Sequence, residues 1–113
     1  MSEGAISRYI NDLEKIGGLK GTDIANLTNV SKATVSRWVN GQATPQPKNE
    51  IRLSDLFYIV GRLQDYYDAD EIRVWLNSPH PQLDGERAID FIHQGKTEEI
   101  LQIIKRLDSE AYL

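Results

Sequence analysis

GTDIANLTNVSKATVSRWVNG, the stretch from Gly21 to Gly41, reads as two short helices around a tight turn. Thr22 to Leu27 forms the first, with Ile24, Ala25 and Leu27 turned inward. Ser31 to Asn40 forms the second, capped by the Ser31 hydroxyl and ended by Gly41, a residue that adopts the left-handed conformation at little cost. In that second helix Val35, Trp38 and Val39 lie three and four apart and make the clamped side, Trp38 reading as a core residue. Lys32, Ala33, Ser36 and Arg37 then face outward, with Thr34 flanking them. A helix that reads DNA must be held from behind and kept short-chained in front, so that its backbone can approach base edges in the major groove. Lys or Arg suits a guanine edge, the Ala33 methyl suits thymine, and Ser36 or Thr34 can donate to a phosphate. The backbone N–H groups at Ser31 to Ala33 favour the same phosphates. Lys32, Ala33, Thr34, Ser36 and Arg37 are therefore the candidate DNA-binding residues. For Lys32 and Arg37 the competing reading is a solvated surface.

The charge distribution bears on that choice. The 113 residues carry 13 Lys/Arg against 17 Asp/Glu, a formal charge of -4, which is the wrong sign for a protein that coats nucleic acid non-specifically. The average hides a division. Residues 1–60 hold seven basic and six acidic side chains, whereas residues 61–113 hold six and eleven. Within the first half, Val30 to Asn49 contains Lys32, Arg37 and Lys48 and no acid, so the field best suited to a phosphate backbone coincides with the second helix and the loop after it. The acidic C-terminal half would repel DNA and suits a basic protein partner.

A chain of this length buries one core, or two small helical layers sharing a boundary, and leaves no room for a large catalytic cleft. The absence of cysteine excludes disulfide staples, thiolate metal sites and thiol nucleophiles and agrees with an intracellular setting. MSEGAISRYI has no apolar run of signal-peptide or membrane-span length, so a soluble cytoplasmic protein without membrane contact is expected.

Apolar residues elsewhere also recur at spacings of three and four, and no stretch alternates as a strand would. Ile6, Tyr9, Ile10, Leu13 and Ile16 give a first stripe closed by Gly17-Gly18. Ala43 to Pro47, with two prolines, reads as an extended loop. Glu50 to about Tyr67 is a longer helix whose apolar residues cover more than one face, as befits a central helix. Gly61 inside it marks either a close approach or a break. Asp68 and Glu71 resemble a capping box opening a helix with Ile72, Val74, Trp75 and Leu76. Pro79 and Pro81 enforce a turn, Asp84 can cap a short helix to about His93, and Gly95 ends it. Thr97 then caps the last helix, which carries Ile100, Leu101, Ile103, Ile104 and Leu107. Internal packing accounts for Trp75, Leu76 and Phe91. A boundary between halves falls around Gly61 to Asp68.

Chemistry of other kinds finds little support. His80 and His93 are the only histidines, with no HExxH pair or cysteine set beside them, and neither a metal nor a cofactor is expected. Asp68, Asp70 and Glu71 lack the spacing of a calcium loop. No P-loop, GxGxxG or GxSxG occurs, so catalysis by this chain is not expected.

Two stretches resemble known families. TVSRWVNG with its downstream prolines is similar to the Xre/Cro-type repressors, whose compact five-helix domain has second and third helices matching Thr22 to Leu27 and Ser31 to Asn40. EIRVWLNSPHPQLDGERAIDFI, from Glu71 on, resembles the C-terminal module of the Xre/MbcA/ParS antitoxins: a Trp-Leu helix end (Trp75, Leu76), a proline turn (Pro79), a Leu-Gly element (Leu83, Gly85) and a short apolar helix (Ala88, Ile89, Phe91, Ile92). Asp84 and Ala88 stand where family members often have a second glycine and a later proline. The resemblance implies an all-α chain, with an Xre/Cro-like helix-turn-helix bundle over residues 1–66 and a small helical toxin-binding module over 67–113. It further implies a partner, a RES-domain toxin that degrades NAD, whose active-site entrance is covered by the last helix and tail. The toxin-binding residues would be Asp108, Ser109, Glu110, Ala111, Tyr112 and Leu113. A pocket built for a pyrophosphate needs cationic donors, which Asp108, Glu110 or the Leu113 carboxylate could engage, with Tyr112 adding aromatic contact. Such a pair would act as an oligomeric toxin–antitoxin complex that also represses its own operator. The alternative is a stand-alone repressor whose acidic half only dimerises or senses a ligand.

Overall fold

The structure, a computed structural model, describes residues 2–110, with side chains from Gly4 onward. Seven α-helices and one 3-10 turn make up the described chain: α1 Ser2–Ile16, α2 Gly21–Thr28, α3 Lys32–Val39, α4 Pro47–Leu63, α5 Ala69–Asn77, the 3-10 turn Pro81–Leu83, α6 Ala88–His93 and α7 Thr97–Glu110. The fold is all-α, as the periodicity requires.

Helix α1 buries Ile6, Ile10 and Leu13, spaced four and three apart, and packs along α4, where the Tyr9 and Phe57 rings lie 4.7 Å apart. Ser7 Oγ donates to the Val39 carbonyl at 2.7 Å and ties α1 to the end of α3. The stripe ends where the glycines predict. Gly18 has φ +61°, and a Cβ on it would sit 2.7 Å from the Ala69 carbonyl oxygen, so the turn after α1 runs directly against the first residue of α5.

Helix α4 is central. Leu53, Leu56, Ile59, Val60 and Leu63 are buried, α1 and α2 pack on it from one half of the chain and α6 and α7 from the other. It begins three residues earlier than the apolar pattern indicates, because Pro47 occupies the first turn, where a missing N–H costs nothing. It also ends at Leu63 instead of running to Tyr67. Gly61 is neither a break nor a close approach: α4 runs through it, and a Cβ there would meet open space.

Two capping assignments are corrected. Asp84 does not start α6; it is the left-handed residue (φ 56°) that ends the 3-10 turn, followed by Gly85 at φ 83°. Pro81 opens that turn, His80 N–H donates to Glu86 O at 3.1 Å, and α6 begins only after Arg87. Thr97 is the first residue of α7, and its hydroxyl donates across the fold to Asp55 at 2.9 Å instead of capping its own helix. The Asp68–Glu71 capping box forms as read, with Glu71 N–H donating to Asp68 at 2.9 Å and Asp68 N–H to Glu71 at 3.0 Å.

The buried apolar side chains from α1 to α7 form one cluster. Polar ties reinforce it: Arg73 pairs with Asp23 at 3.3 Å, and the His93 ring bonds to the Leu27 carbonyl. The two halves therefore share a core across residues 64–68.

Candidate functional site

The first surface is built on α3. Asn29, in the left-handed conformation, ends α2, and Ser31 opens α3, its Oγ accepting from Thr34 N–H at 3.1 Å. The intervening turn is short enough to hold the two helices at a fixed angle. Val35 and Trp38 are buried and Val39 half-buried, so the clamped side is as the spacing indicates. Lys32, Ala33, Ser36 and Arg37 are exposed together, and Thr34 is half-buried beside them. The Thr34 hydroxyl also lies 3.0 Å from Ser31 Oγ and accepts from Arg37 Nη2 at 3.0 Å. Thr34 thus accepts from Arg37 and helps position it, while its hydroxyl proton can go to Ser31 or outward.

Beside α3, a polar cleft of about 420 Å3 runs between the α2–α3 turn and the loop into α4, with Asn29, Thr44, Gln46, Lys48 and Asn49 on its walls. Asn49 and Gln46 escaped the sequence reading; only the acid-free run to Asn49, which includes Lys48, pointed towards them. Neither Lys32, Arg37 nor Lys48 has a carboxylate partner among the described residues. The surface is cationic, polar and short-chained, which suits an anionic backbone.

The second surface is the far end of α7. Asp108 accepts hydrogen bonds from the Arg62 guanidinium and the Tyr66 hydroxyl. Arg62 donates as well to Tyr58 Oη at 3.3 Å; that bond, with the Asp108 charge behind it, holds the guanidinium above its ordinary pKa. With Thr97 on Asp55 at one end and Asp108 on Arg62 and Tyr66 at the other, α7 is pinned to α4 at both ends. The Asp108 carboxylate is accordingly engaged inside the chain. Ser109 and Glu110 are exposed in the last turn of α7. Ala111, Tyr112 and Leu113 lie outside the described residues. The DNA-side candidates are thus brought together on one helix, and of the tail candidates Ser109 and Glu110 are presented to solvent while Asp108 serves as an anchor.

Among the described residues no group of three or more His, Cys, Asp or Glu side chains is placed to hold a metal ion, and no helix is long and apolar enough to cross a membrane. Both histidines have backbone partners: His80 Nε2 lies 2.8 Å from the Trp75 carbonyl oxygen, and His93, at the end of α6, meets Leu27.

The family model described as the antitoxin Xre/MbcA/ParS C-terminal toxin-binding domain matches residues 62–112. The mycobacterial cidal antitoxin MbcA of Mycobacterium bovis is 30 % identical over 87 residues, covering 77 % of each chain. The chain belongs to the Xre/MbcA/ParS antitoxin family. A probable mycobacterial cidal antitoxin of Mycobacterium tuberculosis is 27 % identical over 104 residues, 92 % of this chain and 89 % of that one. Among solved structures, the crystal structure of the M. tuberculosis MbcT–MbcA toxin–antitoxin complex contains a chain that superimposes with a TM-score of 0.83 at 26 % identity, over 96 % of this chain and 97 % of that one. The structural likeness therefore runs through both halves of the chain.

Proposed function

We propose that this chain neutralises a cognate toxin by binding it through residues 67–113 and covering its active-site entrance with the end of α7 and the tail. The observation that carries the reading is the toxin-binding family match over residues 62–112, which takes in α7 with its fixed, exposed end. The toxin is of the RES class and degrades NAD; its pocket must hold a pyrophosphate with cationic donors. Glu110 and the Leu113 carboxylate supply matching negative charge, Tyr112 an aromatic contact, Ser109 a hydroxyl and Ala111 a small spacer. Asp108 contributes by holding α7 in place. The chain acts by binding and not by catalysis, in the cytoplasm, where NAD and operator DNA are both found.

Residues 1–66 add a second role. The cationic face of Lys32, Ala33, Ser36 and Arg37, with Thr34 behind it, binds operator DNA when an oligomeric toxin–antitoxin complex brings two copies together, and the pair represses its own operon. One such face offers too few phosphate contacts to hold DNA at physiological salt.

The test is truncation after Asp108 in cells expressing the toxin from the adjacent gene. The shortened chain is expected to fold with an unchanged helical signal, keep its toxin in pull-downs and lose protection against NAD depletion. Full protection by the truncated chain would overturn the blocking mechanism.

A further inference from the structure

Among the described residues three large hydrophobic side chains are exposed: Ile51 at 55 %, Tyr58 at 53 % and Val74 at 63 %. Ile51 and Tyr58 lie on α4 before residue 62; Val74 alone falls inside the segment matched to a toxin-binding domain. Val74 also stands beside a groove of about 420 Å3 whose apolar walls are Tyr67, Val74, Trp75 and His80, with Asp70 and Glu71 at its rim. Helical spacing explains the arrangement, since Glu71, Val74 and Trp75 lie three and four apart on one side of α5, with Val74 pointing away from the buried Ile72 and Leu76 and Trp75 bordering them.

The walls are preformed. The His80 ring centroid lies 4.5 Å from that of Trp75, and His80 Nε2 bonds to the Trp75 carbonyl, so the turn after α5 folds back and props the indole. Trp75 is half-buried: it packs against the core, as its internal reading holds, and leaves part of the indole on the groove. The groove is also tied to the end of α7. Tyr67 packs edge-on against Tyr66 at 6.4 Å, and Tyr66 holds Asp108. The groove wall and the root of the tail thus belong to one connected cluster.

We propose that this groove is the anchoring site for the toxin: it receives one large apolar side chain of the toxin, flanked there by Lys or Arg that pair with Asp70 and Glu71. The assignment rests on the toxin-neutralising reading above. It follows from three observations: among the described residues the large exposed hydrophobic of the matched segment is here, its rim is acidic in a half with eleven acids against six bases, and it is joined to Asp108 through Tyr66. A preformed aromatic groove loses little entropy on binding and is the kind of feature that dominates an interface. The groove would hold the toxin while the tail blocks it, so affinity and inhibition reside in different residues.

Val74→Glu tests the division in the full chain, since the side chain is mostly exposed and glutamate is helix-compatible. Affinity is measured by calorimetry against the adjacent-gene toxin bearing an inactivating substitution, with thermal melting of each variant as control. Val74→Glu is expected to melt within a few degrees of wild type, its like-charge contacts with Asp70 and Glu71 being small, and to weaken binding by about tenfold or more. Asp70→Lys is expected to weaken it less and flatten its salt dependence. Wild-type affinity in a folded Val74→Glu chain overturns the anchoring site and leaves the neutralising reading standing. A change in oligomeric state with unaltered toxin affinity assigns the groove to a second copy of the chain and also overturns it. No binding by the wild-type chain sinks the neutralising reading itself.

Discussion

If α3 faces an operator, Arg37→Ala must change how binding responds to salt. Lys32, Arg37 and Lys48 are the cations of the acid-free surface, each without a carboxylate partner among the described residues. Two protomers on a two-fold operator then bring about six phosphate contacts, so the slope of log K against log salt is about -5.4, a loss of roughly 1,800-fold in affinity between 50 and 200 mM salt. Arg37→Ala removes one cation per protomer; the slope falls to about -3.6 and the loss over the same range to roughly 150-fold. Thr34→Val supplies the contrast. It deletes the hydroxyl that holds Arg37 but leaves the charge count intact, so affinity drops while the slope stays at its wild-type value. Fluorescence anisotropy titrations of the toxin–antitoxin complex, on the native promoter fragment and on unrelated DNA, read both quantities. An unchanged slope for Arg37→Ala would refute the assignment of the α3 face to phosphate contact.

Other substitutions probe the scaffold. Gly18→Ala places a methyl 2.7 Å from the Ala69 carbonyl in a left-handed conformation, and is expected to cost about 2–3 kcal/mol in urea unfolding. Gly61→Ala, in an exposed helix interior with open space around it, is expected to add about 0.5–1 kcal/mol; equal effects at the two sites would contradict the packing of the α1–α2 turn on α5. Asp108→Ala releases the far end of α7 from Arg62 and Tyr66. Because that pair is about a third exposed on each side chain, melting should change little, whereas roughly three to ten times more chain should be needed to silence the toxin. Undiminished potency would show that α7 needs no anchor.

What could be read from the sequence divides by range. Ser31 and the Asp68–Glu71 box were legible because a cap is made within three residues and depends on local chemistry alone. Trp38 was legible because Val35 fixes the phase of its helix. Thr97 has the same chemistry as Ser31, yet its hydroxyl goes to Asp55, 42 residues away, a choice that only the packing of α7 on α4 decides. The Arg62–Asp108 contact spans 46 residues and was likewise hidden, so Asp108 read as a free tail acid when it is an anchor. Asp84 was misread for a local reason: Pro81 starts a 3-10 turn that needs a left-handed residue at its end, and Asp84 meets that need before it can cap anything. Trp75 packs on the core as its helical spacing indicates, but its part in a groove wall was hidden because that depends on where His80 folds back.

These long-range contacts converge on α4, and that convergence bears on how the two proposed roles would coexist in so short a chain. The loop after α3 enters α4 at Pro47, α1 lies along its middle, and α7 is held by Asp55 and Arg62, seven residues apart on the same helix. The cationic face and the root of the tail are therefore built on one continuous core. A rigid connection fixes the geometry between sites but transmits no signal by itself, because a ligand shifts an equilibrium only when it distinguishes two states. If the chain neutralises a toxin and binds its operator as proposed, repression that depends on the toxin would follow from assembly, the toxin on the acidic half setting the spacing of two α3 faces that are each too weak alone. On this account toxin binding raises operator affinity by joining two sites and not by reshaping either, and a covalently linked pair of chains spaced one helical turn of DNA apart should repress without any toxin.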